Sequence, residues 1–254
     1  MLLVAVIGIQ SNAQFDDSVS KLKLYDDALD MGVYAQMLAK DKLYVIKNLK
    51  KEQATKEIDY ALAKINENIN EIDLEVTTPQ VRKNVDRIKE FLLKFDNKST
   101  RVMSSSDFSN LYFEINILDK LISDLDESMF VAYNLNANSI QNYKDIQELR
   151  ELIQKISVSY YAKLLNLNKS FLHDYQNNIK KINDFIADKS NAFLNDPIIG
   201  KYFPDFILDW NFLKANLKST KYKNPKTIFS MSVSIDYHLK QIKDAYFNKL
   251  NKQN

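Results

Sequence analysis

The sequence predicts an all-α protein made of two tandem four-helix up-down bundles, and three observations support that prediction. The chain of 254 residues has three glycines and four prolines, which favours long helices over many short strands. Apolar residues recur at spacings of three and four along most of its length. Three dipeptides also recur in the same order after 121 or 123 residues, which indicates a duplicated unit. The matches pair Ala39-Lys40 with Ala162-Lys163, Phe91-Leu92 with Phe212-Leu213, and Phe108-Ser109 with Phe229-Ser230.

The first unit, residues 14–132, is predicted to hold four helices. Thr78 and Pro79 separate the second helix from the third, because Thr is favoured at the N-cap and Pro at the first helical position. A polar, serine-rich run at 97–107 predicts a loop before the fourth helix. The four helices cover about residues 17–48, 52–74, 79–95 and 108–125. Four small residues form one row on the first helix, where a partner helix could approach closely: Ala28, Gly32, Ala35 and Ala39.

An asparagine-rich stretch, residues 133–142, is predicted to link the two units. It could equally continue one long helix, because it contains neither proline nor glycine. The second unit, residues 143–254, repeats the four-helix plan, and prolines mark its internal breaks. Its helices cover about residues 143–173, 175–193, 205–217 and 226–250.

The N-terminal residues 1–13 resemble a secretion signal whose own start is clipped. A short apolar run from Leu2 to Ile9 is followed by Ser11-Asn12-Ala13, which suits cleavage before Gln14. The alternative is a short buried helix start. No other stretch is apolar for long enough to cross a bilayer. The sequence therefore predicts a periplasmic or secreted protein without a membrane span in the mature chain.

Composition argues against several functions. The net charge of +2 does not favour nucleic-acid binding. With only four arginines, the chain has few guanidinium groups that could bind an anion through two hydrogen bonds. Without cysteine there is neither a thiol nucleophile nor a Cys-ligated metal. His173 and His238 lack the Glu-x-x-His pattern of helical metal sites. We expect no enzyme activity, no metal and no cofactor, and we interpret acidic pairs such as Asp26-Asp27 as helix-start or solvated charges.

One pair of segments suggests a binding site. Gln36 and Lys40 lie one turn apart in the first helix, and Ser159 and Lys163 lie one turn apart in the fifth. Helical bundles build ligand sites from side chains on facing helices, so these four residues are the candidate ligand-binding set. The alternative is that both lysines extend into solvent, which is the commoner fate of lysine.

The segment from Ala35 to Lys40 also resembles a known family. It reads Ala-Gln-Met-Leu-Ala-Lys and is similar to the Ser-Gln-Arg-Met-Ala-Lys end of a motif in the N-terminal sensing module of type IV pilus methyl-accepting chemotaxis transducers. A related motif opens the periplasmic sensor of nitrate- and nitrite-responsive kinases. The second copy retains chiefly Ala162-Lys163. The arginines of the family motif are missing, and Asp30 stands in that half with the opposite charge.

The resemblance implies a free-standing exported relative of this sensing module without signalling output of its own. We expect a non-enzymatic bundle that binds a small ligand or a partner protein in a sensory role, and that could form a homodimer. The alternative is a purely structural or interaction protein with no small-molecule ligand.

The N-terminal pattern makes the first testable prediction. In an exporting host the mature chain should begin at Gln14, because signal peptidase favours small residues before its cleavage site. Mass spectrometry of the recovered protein should show the loss of residues 1–13. Cytosolic protein with an intact N-terminus would contradict this prediction.

Overall fold

The computed structural model describes residues 3–95, 105–164, 170–218 and 224–251, and every regular element in these ranges is helical. The all-α prediction is confirmed. No helix in the described ranges is long and apolar enough to cross a membrane. A 3₁₀ turn at Ile199–Lys201 precedes α7. The helices are α1 Leu3–Ile46, α2 Lys51–Glu75, α3 Pro79–Lys94, α4 Ser105–Ala132, α5 Ala137–Leu164, α6 Ser170–Asn195, α7 Phe203–Lys218 and α8 Pro225–Asn251.

Several helix boundaries differ from the predicted ones. Helix α1 already includes the apolar N-terminal run, since it begins at Leu3. Thr78 precedes α3 with an extended backbone and Pro79 opens that helix, as predicted, but the Thr78 side chain makes no capping hydrogen bond. Most of the predicted loop at 97–107 and part of the end of the predicted fifth helix, at 165–169, lie outside the described residues.

The asparagine-rich link is shorter than predicted because one asparagine ends α4 abruptly. Asn134 adopts a left-handed backbone with φ 51°, which asparagine tolerates better than most residues. Its amide donates to the Val131 carbonyl, and the Leu135 amide donates to the Phe130 carbonyl. This hydrogen-bond pattern is a Schellman motif. The turn is therefore limited to residues 133–136, and residues 137–142 belong to α5.

Two hydrophobic clusters divide the molecule. The first is formed mainly by α1 to α4 and also takes in Tyr161 of α5 and Phe229 of α8. The second is formed by the four helices α5 to α8 and includes the fully buried Trp210. Tyr246 packs against both clusters. The clusters correspond roughly to the two predicted units, but they share side chains at their boundary.

Helices α1 and α5 run parallel along this boundary. Tyr143 donates a hydrogen bond to Asp26 and Gln147 donates one to Asp30, and each pair is 117 residues apart. The rings of Tyr44 and Tyr161, also 117 residues apart, stack with centroids separated by 4.6 Å. Equal separations at three levels require two parallel helices in one register.

The structure does not confirm the tandem repeat. The dipeptide matches are 121 and 123 residues apart, so Ala39 and Ala162 do not lie level in a register of 117. Phe212 is 53% exposed on α7, whereas its predicted counterpart Phe91 packs partly buried against the first cluster.

The shared boundary predicts that both clusters unfold together. Ile65→Ala removes a fully buried side chain from the first cluster and should cost about 2–5 kcal/mol. Trp210 lies in the second cluster and is the one tryptophan of the chain, so its fluorescence reports on the other half. In urea, the Trp210 transition of Ile65→Ala should move to lower denaturant together with the loss of helical circular dichroism. An unchanged Trp210 transition would show that the halves unfold independently.

Candidate binding site

Helix α5 presents a fully polar stripe to α1. Six residues alternate at spacings of four and three, as in a heptad seam, and none is more than 3% exposed. Such positions are usually apolar where helices pack together. The opposite side of α5 carries buried isoleucines and leucines, so this helix is buried nearly all round. The stripe consists of Tyr143, Gln147, Arg150, Gln154, Ser157 and Tyr161. We call its contact surface with α1 the seam.

We call the part of the seam from Tyr143 to Arg150 its upper half, and the part from Gln154 to Tyr161 its lower half. Charge-assisted hydrogen bonds join the buried polar side chains of the upper half. Asp30 of α1 accepts from Arg150 at 2.5 Å, from Gln147 at 2.8 Å and from Lys243 of α8 at 3.0 Å. Burial alone would raise the pKa of Asp30, but the charges of Arg150 and Lys243 outweigh it and hold that pKa at about 2. Asp30 is therefore ionised in the folded protein at neutral pH.

The same network ties α8 to both other helices. Lys243 also donates to Asp26 at 2.9 Å, and the Arg150 Nε donates to Asp236 at 2.9 Å. Asp236 and Lys243 lie seven residues apart, on one face of α8. Burial raises the pKa of Asp26, with a further contribution from the charge of Asp30, while Lys243 opposes both.

The lower half of the seam lacks partners. The side chains of Gln36, Asp41 and Gln154 are at most 1% exposed, yet none of their six nitrogen and oxygen atoms has a hydrogen-bond partner within the protein. Asp41 lies beside two ionisable side chains, the Lys40 ammonium at 3.3 Å and the Glu57 carboxyl group. Burial raises the pKa of Asp41 well above its usual range and the charge of Glu57 adds to this, while Lys40 offsets it only in part.

Lys40 is itself completely buried and paired. Its ammonium donates to Glu57 of α2 at 3.1 Å and lies 4.7 Å from the centre of the Phe229 ring. A carboxylate from another helix is the partner that a buried lysine requires. Burial lowers the pKa of Lys40, but the charges of Asp41 and Glu57 outweigh it and hold that pKa above its ordinary value. The solvent-exposed alternative is therefore wrong for Lys40.

The four predicted site residues do not form one cluster. Gln36 and Lys40 are buried on α1, and Ser159 is buried on α5, but Lys163 is exposed near the end of that helix. In the register of 117 residues, Lys163 lies six positions beyond the level of Lys40. At 1.5 Å per residue this offset is about 9 Å.

A groove lies between α4 and α5, over α1. Its volume is about 980 Å³, and Ser159 lines one part of it. Two ion pairs cross it, from Lys155 to Asp119 at 3.2 Å and from Lys144 to Asp126 at 3.4 Å. Ala28 and Gly32 form part of its floor, and Tyr112, Phe113, Glu148, Glu151 and Lys181 are among the residues of its sides.

The missing side chain of Gly32 makes room for a carboxylate in the groove. A Cβ atom at this position would lie 2.6 Å from Oε1 of Glu151, so any larger residue would displace that carboxylate. The small-residue row was predicted to admit a partner helix, but at Gly32 the group that it admits is a side-chain carboxylate of α5. Burial raises the pKa of Glu151 to about 7, against the opposing charge of Lys155.

The described side chains do not assemble a metal site. Among them, no group of three or more His, Cys, Asp and Glu residues is arranged to hold an ion. His238 lies 3.4 Å from Asp209 and away from other ligands of that kind, and the His173 side chain is outside the described part of the chain.

The charged network was missed at the sequence level. Asp26 was expected to be a helix-start or solvated charge, but it is half-buried and accepts hydrogen bonds from Tyr143 of α5 and Lys243 of α8. The signals were present as spacings: Asp26 and Asp30 are four apart, and the polar residues of α5 follow a heptad. A heptad of polar residues usually faces solvent, so this spacing did not indicate a buried network.

Comparison with family models, curated proteins and solved structures finds no match to this chain. The resemblance to the chemotaxis-transducer sensing module therefore stays a prediction based on the segment from Ala35 to Lys40.

The network predicts a large penalty for removing its arginine. Arg150→Met would leave Asp30 and Asp236 short of a buried cationic partner, which typically costs about 3–5 kcal/mol. Arg87→Met is the matched control, because Arg87 pairs with Asp124 in an ion pair whose arginine side chain is 46% exposed. That control should lose at most about 1 kcal/mol. Urea unfolding measures both changes, and equal losses would contradict the assigned role of Arg150.

Proposed function

We propose that this protein is a non-enzymatic helical bundle that binds a small polar ligand in the lower half of the seam. One observation carries the proposal: Gln36, Asp41 and Gln154 are buried without hydrogen-bond partners directly below a saturated network. Buried polar side chains in folded proteins nearly always have partners. A group that does not belong to the chain is therefore expected to complete this part of the seam.

The arrangement also limits the chemistry of the ligand. Asp41 accepts hydrogen bonds when ionised, whereas Gln36 and Gln154 each offer two donor hydrogens and one acceptor oxygen. Burial favours the neutral form of Asp41, in which the carboxyl group also donates one hydrogen bond, and the charges of Lys40 and Glu57 offset each other. A compact molecule with both donors and acceptors fits these groups better than a free anion does.

A sensory role outside the cytoplasm is the biological setting that we propose. Gln36 and Lys40 lie in the segment that resembles the chemotaxis-transducer sensing module, and the run from Leu2 to Ala13 resembles a secretion signal. Ligand occupancy could then be passed to a partner protein or to a second copy of the chain.

The alternative is a structural or interaction protein without a small-molecule ligand. One feature favours a protein contact: Leu208 is 68% exposed and Phe212 is 53% exposed, one turn apart on α7. Adjacent exposed apolar side chains of this kind occur at interaction surfaces.

A pair of substitutions on one helix separates the two functions. Gln147→Met removes a hydrogen-bonded carboxamide from Asp26 and Asp30 and should cost about 1–3 kcal/mol. Gln154→Met, seven residues later, removes a carboxamide with no partner in the protein and should change the stability of ligand-free protein by less than about 1 kcal/mol. Thermal unfolding of both variants measures these differences.

Ligand binding is then tested with free amino acids, small amides and ammonium salts. A ligand present at about 100 times its Kd adds about 2.7 kcal/mol of stability, so an effective compound should raise the Tm of the wild type clearly. Gln154→Met should abolish that increase while helicity is retained. If no compound raises the Tm and Gln154→Met stabilises the protein, the structural alternative should replace the proposal.

A further inference from the structure

We propose that the groove between α4 and α5 is a second binding site, which takes a small organic cation with a short apolar body, such as an alkyl diamine. The proposal is independent of the ligand in the seam, because Gln36, Asp41 and Gln154 are not among the residues that line the groove.

The shape of the groove suits a small molecule. Helices α4 and α5 both pack against α1, and the ion pairs Lys155–Asp119 and Lys144–Asp126 join them across the space between. The volume of about 980 Å³ is at the upper end of the range for small-molecule sites. Lysine side chains at its edges can rotate aside without disturbing a packed core, because Lys144 and Lys155 keep about 30% of their area exposed.

The charge of the groove selects a cation. Its lining contains five carboxylates and three ammonium groups, an excess of two negative charges when all are ionised. Each ammonium already lies within 3.4 Å of a carboxylate, so an anionic ligand would have to break existing pairs. A carboxylate has about four acceptor positions, which leaves room for another donor at each of them. The five acids are Asp119, Asp126, Asp145, Glu148 and Glu151, and the lysines are Lys144, Lys155 and Lys181.

The Glu151 carboxylate is the group that would pair with the bound ammonium. Its side chain is 24% exposed and its Oε1 lies against Gly32, at the floor of the groove. The charged groups around it are Lys155 and Glu148 on α5 and Asp119 on α4, and α1 contributes no charged residue to the lining. Burial disfavours the ionised carboxylate, so a bound ammonium would stabilise that form and release a proton near neutral pH.

Two aromatic side chains of the groove would contact the apolar part of the ligand. Phe113 lines the groove with 66% of its surface exposed, and Tyr112 lies beside it on α4. An exposed ring can cover methylene groups and attract a cation through its face. Carboxylates on both α4 and α5, together with the aromatic rings of α4, match an alkyl ammonium.

Isothermal titration calorimetry with three four-carbon compounds tests the proposal. 1,4-Diaminobutane should bind, whereas butane-1,4-diol and butanedioate should not, because only the first carries positive charge. Near the pKa of Glu151, at about 7, the heat of diamine binding should depend on the ionisation enthalpy of the buffer, since protons are released. Equal binding of the diol would overturn the charge argument, and binding of butanedioate would assign the site to an anion.

Variants then locate the site. Glu151→Gln should weaken diamine binding about tenfold or more and remove the buffer dependence. The control Glu52→Gln alters a carboxylate that is 86% exposed on α2, away from the groove, and should bind as the wild type does. Phe113→Ala changes an exposed side chain and should fold normally, so a several-fold weaker Kd in that variant would support the site even if Glu151→Gln were unstable. Unchanged binding in both groove variants would refute the proposal.

Discussion

The contact between Arg150 and Asp30 is the interaction on which the arrangement of the helices depends. It joins α1 to α5 at 2.5 Å, and through Asp236 and Lys243 it joins both to α8. Buried ion pairs of this kind are weak evidence for net stability, because desolvation of the charges opposes their attraction. Their effect is on register. With Asp30 held by three donors, α1 cannot slide along α5 without leaving a buried charge unpaired.

The two halves of the seam follow different physical rules. In the upper half every charge has an opposite charge or a hydrogen-bond donor beside it, so this half specifies one packing of the three helices. In the lower half, Lys40 contacts Glu57, Phe229 and Asp41, while the neighbouring Gln36 and Gln154 have no hydrogen-bond partner in the protein. Polar residues placed there for stability alone would be poorer than leucine or methionine. The contrast within one helix pair is the reason for assigning a binding role to the lower half.

Most of the fold could be predicted from the sequence, because amphipathic periods and turn residues are local signals. The ends of α2 and α8 lie within about two residues of the predicted ones, and Pro79 opens α3 as expected. The short motif also singled out Gln36 and Lys40, and both are buried. The partners of Asp30 could not be predicted, since they come from α5 and α8, more than a hundred residues away. The register of α1 on α5 was also missed, because dipeptide identity does not report which residues lie level.

Helix α1 connects the seam and the groove. It is buried almost continuously from Asp30 to Tyr44, and Gly32 meets the groove one turn before Gln36 meets the unpartnered region. The helix is fixed on both sides of that region, by Arg150 and Lys243 at Asp30 and by Glu57 at Lys40. A ligand that fills the region would therefore meet side chains whose backbone is already held in place. Such preorganisation lowers the entropy cost of binding, so a small molecule with few contacts could still bind measurably there.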